Sequence, residues 1–323
     1  MVLEVAVASG KGGVGKSTLS STLALYLHRR NYKIIAVDAD ADAPNLHLIY
    51  GLTSWEHEEE YIEAWIAEIN YDKCTNCGVC AQVCPYEAVR LENNKYVINK
   101  VVCEGCLTCT LACPEKAIRR RRTASGKIRW GKTVYGFPLV SARLYVGRPN
   151  TGKLVTEVKN KAKEWSSDDT IIIVDSAAGI GCQVISSLAG ANAAILVVEP
   201  TPASFSDLKR VHMIAKQFVL PSALVINKYD INPDYVDVIL EYAENEGIDV
   251  LGKIPYDDNV PKAMAQMKPL IELYPDSPAS KALLEIARRV EERIIRNWRE
   301  WFSKYKPRKP VPYKPIILKP DNV

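Results

Sequence analysis

Short apolar runs alternate with helix-length stretches along most of this chain, and that alternation predicts its architecture. Val2 to Ala8 is an apolar run fit for a parallel strand buried on both faces. A glycine-rich loop follows, then helical spacing from about Lys16 to Arg30. A second apolar run, Tyr32 to Val37, ends in Asp38-Ala39-Asp40. Further apolar runs at Thr170 to Val174, Ala193 to Val198, Ala223 to Ile226 and Val250 to Ile254 are again separated by helical spacing. Strands alternating with helices predict an α/β fold, with a mostly parallel sheet covered on both faces. Two segments break this pattern: a polar, acidic stretch with Glu56, Glu58, Glu59 and Glu60, and an alternating stretch, Gly126 to Gly147, that predicts one or two hairpins. From Ser280 to about Tyr305 the spacing predicts a last helix, with Leu284, Ala287, Ile294, Trp298, Trp301, Phe302 and Tyr305 near one face. The remainder, within residues 303 to 323, is rich in Pro and Lys and predicts an extended, mobile or partner-docked tail.

At 323 residues and 47% hydrophobic, the chain is long enough for a large core and for two domains. A net charge of +4 favours no particular partner. No apolar run reaches membrane-spanning length, and the N-terminus lacks the layout of a signal peptide. Nine cysteines that cluster rather than spread belong in a reducing compartment, so the expected location is cytoplasmic.

Eight of those cysteines form two copies of one pattern. Cys74, Cys77, Cys80 and Cys84 precede Pro85; Cys103, Cys106, Cys109 and Cys113 precede Pro114. Each copy reads C-x₂-C-x₂-C-x₃-C-P, which resembles the run of bacterial two-cluster ferredoxins. In that family the fourth cysteine of each run serves the other cluster. The resemblance therefore implies one 4Fe–4S cluster on Cys74, Cys77, Cys80 and Cys113, and a second on Cys84, Cys103, Cys106 and Cys109. Zinc in Cys₄ sites is the alternative that closely spaced cysteines leave open. The block, residues 66 to 119, reads as an α+β insertion into the α/β domain, which takes residues 1 to 65 and 120 to 302.

Gly10 to Ser17 matches G-x-x-x-x-G-K-[ST] between a predicted strand and helix. Backbone N–H groups of such a loop wrap a phosphate, and the following helix points its positive end at it. Gly10, Gly12, Gly13, Val14, Gly15 and Thr18 shape the loop. Lys16 reaches the β- and γ-phosphates of ATP, and Ser17 ligates Mg²⁺.

The wider segment GKGGVGKST resembles the deviant phosphate loop of the MinD/ParA family of dimeric ATPases. VDADADAPNLHL (37 to 48) and IIIVDSAAGIG (171 to 181) resemble that family's switch I, Walker B and switch II. The resemblance implies that Lys11 reaches across a dimer to the partner's nucleotide. It puts Asp38 and Asp175 by the Mg²⁺, directly or through water, has Asp40 orient the attacking water, and has Gly179 present its N–H to the γ-phosphate. VINKYD (225 to 230) and IPYD (254 to 257) resemble the base-side segments, so Asn227 would read the base edge with Lys228, Pro255, Tyr256 and Asp257 around it. Within the family, the likeness is best to MinD-type ATPases with an inserted ferredoxin.

Arg119 to Arg122, extended by Lys127, Arg129 and Lys132, reads as a solvated face, or as a docking patch for an acidic redox partner or for the acidic Glu56 to Glu63 stretch. Nothing in it interleaves bases, so no nucleic acid is expected. Cys182 reads as core packing. The last helix reads as core, with peripheral membrane contact as the alternative. These features together predict an ATP-driven homodimer, or heterodimer with a paralogue, that gates electron transfer to or from a redox partner. An assembly ATPase for a client metalloenzyme and a spatial organiser are the alternatives.

Overall fold

A computed structural model describes residues 2–148 and 152–308. The chain opens with β1 (Leu3–Ser9), α1 (Lys16–Arg29), β2 (Lys33–Asp38) and the single turn α2 (Leu46–Ile49). β3 (His57–Ile69) leads into the cysteine block, which holds α3 (Val79–Gln82), β4 (Val89–Glu92), β5 (Lys95–Ile98) and α4 (Thr108–Ala112). β6 (Ile118–Lys132) returns from it, and β7 (Pro138–Leu144) closes a hairpin. The alternating half follows: α5 (Lys153–Glu164), β8 (Thr170–Ala178), α6 (Cys182–Leu188), β9 (Ala193–Val198), α7 (Pro202–Gln217), β10 (Ser222–Asn227), α8 (Pro233–Asn245) and β11 (Asp249–Ile254). The short α9 (Asn259–Ala265) and α10 (Leu270–Leu273) precede α11 (Pro278–Arg289) and α12 (Trp298–Tyr305).

The main sheet has the order β11-β10-β9-β1-β8-β2-β7-β6-β3. It is parallel from β11 to β7, and antiparallel from β7 through β6 to β3. Parallel strands buried on both faces must be apolar at every position, and β1 and β8 send alternate side chains to two cores. Val5, Val7, Ile171 and Ile173 pack under α1 and α11, while Ala6, Ala8, Ile172 and Val174 face α5 and α7. Three helices start on a capping side chain followed by proline: Thr201-Pro202, Asn232-Pro233 and Ser277-Pro278. A buried ion pair fixes α5 to the sheet. Lys159 Nζ lies 2.7 Å from Glu4 and also donates to the carbonyls of Ser186, Ser187 and Ala189 at the end of α6.

Three segments are placed by the structure. The acidic stretch is the first half of β3, an edge strand paired to the basic β6 over the register His57↔Trp130 to Ile69↔Ile118. Lys127 reaches Glu58 at 3.1 Å, Lys161 reaches Glu59 at 3.4 Å, and the Tyr145 hydroxyl donates to Glu60 at 2.6 Å. Its carboxylates thus have partners, and charge on an edge strand discourages pairing with other chains. Second, β3 and β6 run unbroken through residues 66 and 119–120, so sheet and cysteine block share strands. Third, residues 280–305 are not one helix. A π turn, Val290–Arg296, carries the buried Glu291 to Tyr26, Tyr32, Arg30 and Arg296, and Asn297 breaks the helix before α12. Residues 303–305 belong to α12; residues 309–323 of the expected tail lie outside the described residues.

No described helix is long and apolar enough to cross a membrane. The aromatic face of α12 lies on the core: Trp301 is 4% exposed and its Nε1 donates to Asp249 Oδ2 at 2.8 Å. Replacing it, Trp301→Ala, should lower the unfolding free energy by about 3–5 kcal/mol in urea titrations and leave vesicle binding unchanged. Unchanged stability with lost vesicle binding would place this helix on a membrane instead.

Candidate functional site

The loop from Gly10 to Gly15 turns tightly between β1 and α1. Gly13 (φ 76°) and Gly15 (φ 96°) take left-handed conformations that an L side chain resists. A β-carbon at Gly15 would also stand 2.4 Å from Asn227 Nδ2. The loop delivers Lys16 to the N-terminus of α1, below a cleft of about 420 Å³. Of the expected residues, Gly12, Gly13, Gly15, Lys16, Ser17, Thr18, Asp40, Asn227, Lys228, Pro255, Tyr256 and Asp257 line this cleft. The far end is apolar, with Ile254, Val260, Met264 and Leu283, and suits a flat heterocycle. Gly10 does not line it; it lets α7 approach, since a β-carbon there would lie 2.4 Å from Asp207. Val14 is fully buried.

Asp38 and Asp175 stand side by side at the C-terminal ends of β2 and β8. Open α/β sheets bind ligands at this edge. The Asp38 carboxylate accepts from the backbone N–H of Asn45 (2.8 Å), Leu46 (2.9 Å) and Asp40 (3.3 Å), and so folds the following loop back into α2. Burial, and then the charge of Asp175, push its pKa well above the ordinary range. Burial raises Asp175 to about 6 against hydrogen bonds from Ser17 and Ser20 and the charge of Lys16. Lys16 is itself lowered by burial and drawn back by Asp175 and Asp40. Crowded buried acids beside a phosphate loop are the donor set a hard cation relieves. Mg²⁺ therefore fits against Ser17, with Asp175 and Asp38 behind it.

Several side chains have other partners than the resemblance implied. The Gly179 N–H donates to the Ser9 carbonyl at 3.0 Å, so it must exchange that bond before it can serve a γ-phosphate. Asn227 Nδ2 donates to the Val14 carbonyl at 2.8 Å and Oδ1 accepts from Lys228 N–H at 3.0 Å, so this amide braces the phosphate loop while it lines the cleft. Lys11 stands 3.8 Å from Glu199, which also takes Lys228 at 2.6 Å. Sequence reasoning missed Glu199, although it directly follows β9 at the ligand-binding edge. It also missed Ser20, one helical turn beyond Lys16, whose Oγ donates to Asp175 at 2.9 Å. Gln183 of α6 donates to Asp42 and ties the loop after β2 to the segment after β8.

The cysteines converge in two cavities. Cys74, Cys77, Cys80 and Cys113 line one; Cys84, Cys103, Cys106 and Cys109 line the other. The two repeats share a backbone plan. Asn76 and Gly78 are left-handed in the first, Gly105 and Leu107 at the same places in the second. Ala88 N–H donates to Cys84 Sγ and Ala117 N–H to Cys113 Sγ, both at 3.3 Å. Burial raises the thiols of Cys80 and Cys109, and the cysteines of their own cavity add to it, Cys84 among those acting on Cys109. Among the described residues, no group of three or more His, Cys, Asp or Glu converges tightly enough for a single ion. Cys182 is exposed at the start of α6, not in the core as expected.

A model of the CobQ/CobB/MinD/ParA nucleotide binding domain matches residues 5–270. Two uncharacterized proteins of Methanocaldococcus jannaschii are 35% and 32% identical, over 91% and 92% of this chain and 98% and 97% of their own. An iron-sulfur cluster carrier protein of Pyrococcus abyssi is 29% identical over 90% of this chain and 86% of its own. Among solved structures, the septum site-determining protein MinD of Pyrococcus horikoshii, complexed with Mg-ADP, superposes with a TM-score of 0.58 at 18% identity. It covers 90% of this chain and 97% of that one.

The lysines separate two steps. Lys16→Ala should abolish nucleotide binding measured with a fluorescent ATP analogue. Lys11→Ala should leave that binding within about threefold and lower steady-state phosphate release by about 100-fold or more. Full turnover in the Lys11 variant would exclude it from the reaction.

Proposed function

This chain belongs to the CobQ/CobB/MinD/ParA family of nucleotide-binding domains and is an ATPase, and from that premise we propose that it is a dimeric ATP switch whose output is electron transfer. Members of the family dimerise in a nucleotide-dependent way. Whether this chain pairs with itself or with a paralogue, Lys11 would leave Glu199 and reach the partner's phosphates. Lys16 holds the β- and γ-phosphates, and Asp40, lining the cleft, orients the attacking water. Mg²⁺ held through Ser17 would offset phosphate charge. Asn227 keeps the loop closed around the phosphates while Pro255, Tyr256 and Asp257 flank the base.

Two 4Fe–4S clusters, one on Cys74, Cys77, Cys80 and Cys113 and one on Cys84, Cys103, Cys106 and Cys109, would supply one-electron chemistry. The fit rests on the two cysteine rings, their repeated left-handed turns and the N–H···S bonds to Cys84 and Cys113. Reduced thiols of this kind also support a cytoplasmic location.

One observation carries the coupling. The ribbon of β3 and β6, paired from His57↔Trp130 to Ile69↔Ile118 with register shifts around Ile62, extends from beside the switch to the cysteines. At one end Arg129, 9% exposed, stacks on Trp55 at 4.7 Å, and Trp55 meets His47 of α2. At the other, Ile69 and Ile118 line the first cysteine cavity. A nucleotide-driven shift of the loop Asp38 to Asn45 therefore moves the whole ribbon against a redox partner or metalloenzyme client.

The names of the Pyrococcus relatives favour a second reading, an ATPase that hands iron–sulfur clusters to a client. Ligands drawn from both repeats oppose easy release. The expected result is an electron-transfer rate to a soluble acceptor that changes at least about fivefold between nucleotide-free and ATP-bound protein. No nucleotide effect, with stoichiometric iron passing to an apo-protein, would favour the carrier. The crossed ligand sets have their own test. Cys113→Ser should cost about half of the bound iron, with the loss assigned by EPR to one cluster; loss of neither would refute the assignment.

A further inference from the structure

Consecutive arginines on β6 point to opposite faces, and the two faces are treated differently. Arg119 and Arg121 lie on the outer face, where both close on Glu68 at 2.8 and 2.7 Å. Arg120 and Arg122 lie on the other, stacked on Trp65 at 4.7 and 5.3 Å from the ring centre. Among the described residues no carboxylate comes within ion-pair reach of either. Further along the ribbon Lys127 is compensated by Glu58 and Glu60, whereas Arg129 also lies on an indole, that of Trp55, but is buried. Arg120 and Arg122 are exposed, and they sit at a particular place. Gly105, between Cys103 and Cys106, lies against the Trp65 backbone, where a β-carbon would come within 2.2 Å of its carbonyl. Ala67, paired with Arg120, lines the second cysteine cavity, whose Cys106 is exposed.

We propose that Arg120, Arg122 and Trp65 form the docking surface for an acidic electron-carrier protein of the ferredoxin class, at the exposed rim of the second cluster site. The proposal rests on the electron-transfer reading above. Guanidinium groups held flat on an indole are already ordered, so they meet a partner's carboxylates at small entropic cost and in bidentate geometry. Uncompensated positive charge steers an acidic partner to the rim and aligns it there. One electron leaves the carrier's reduced cluster and enters the oxidised cluster on Cys84, Cys103, Cys106 and Cys109; no bond forms or breaks and no proton moves. A nucleic acid fits less well, because the indole is already engaged by two cations and is not free to stack on a base.

The test uses the full-length, cluster-loaded protein and a purified acidic bacterial ferredoxin, with Kd measured by calorimetry at stepped salt concentration. Arg120→Gln/Arg122→Gln should weaken binding about tenfold at low salt and flatten its salt dependence. The charge-matched Arg119→Gln/Arg121→Gln pair should stay within about twofold. Where the first pair loses iron, the single variants carry the measurement, each with about a threefold loss. Equal losses in both pairs, or no loss in either, overturn the proposal. So does a shifted midpoint potential with unchanged Kd, which would make the arginines tuners of the cluster. Tighter binding of a single-stranded RNA oligonucleotide, lost in the same variant, also overturns it and assigns the patch to nucleic acid. Since binding is read without ATP, ferredoxin binding that survives alongside a null nucleotide effect would defeat the preceding reading and not this one.

Discussion

The antiparallel ladder between β3 and β6 is the constraint on which the arrangement depends. Its backbone bonds join residues some fifty to seventy positions apart and hold two kinds of site on one ribbon. A flexible tether would let the cysteine block tumble, and motion in the phosphate cleft would be lost in the linker. A hydrogen-bonded ribbon limits that freedom, which is what the proposed coupling requires, and the register shifts around Ile62 are where it would bend. The parallel sheet gives it a fixed base through β7, which pairs with both β6 and β2, the strand that ends in Asp38.

Charge placement follows from the same ladder. β3 brings a row of glutamates beside a row of basic side chains on β6, β7 and α5, and each row makes the other tolerable. The cleft works in the opposite way. Asp38 and Asp175 are kept without adequate cationic company, and burial drives both toward protonation. Such a site is costly when empty and is relieved when a cation and phosphates arrive. The phosphate-loop lysines complete the contrast. Lys16 is buried and committed, while Lys11 is half-exposed and held only at 3.8 Å by Glu199, a weak contact that a better anion displaces.

Much of this was legible in the sequence, for identifiable reasons. β9 and β10 are buried on both faces and so appear as apolar runs, and β8 does so up to Asp175. The phosphate loop and cysteine runs are legible because their chemistry demands fixed spacings, and the two cysteine rings carry the expected membership. β3 was hidden because an exposed edge strand can be polar, and its stability comes from partners on β6 far away in sequence. The break between α11 and α12 was hidden because apolar spacing continues across it; only the clamp on Glu291 by Tyr26, Tyr32, Arg30 and Arg296 reveals the wide turn. Gly179 and Asn227 hold backbone partners in this conformation that a motif, which describes the nucleotide-bound state, does not contain. Glu199, Ser20 and Gln183 belong to no short pattern, since their roles exist only where separate strands and helices meet.

The crossing of the cysteine ligands has a temporal consequence. A ribosome delivers Cys74, Cys77 and Cys80 well before Cys113, and Cys84 well before Cys103. On the ligand sets proposed above, neither repeat can close a cluster while it emerges alone. The ATPase sheet waits longer still, because β1 and β2 must leave a gap for β8, which is made after the whole cysteine block. Ile66, Ile69 and Ile118 can already bring the block together at that stage through contacts within residues 57–132. The order of synthesis thus favours a nascent chain whose inserted block matures first, with the nucleotide cleft, which needs both early and late strands, formed last.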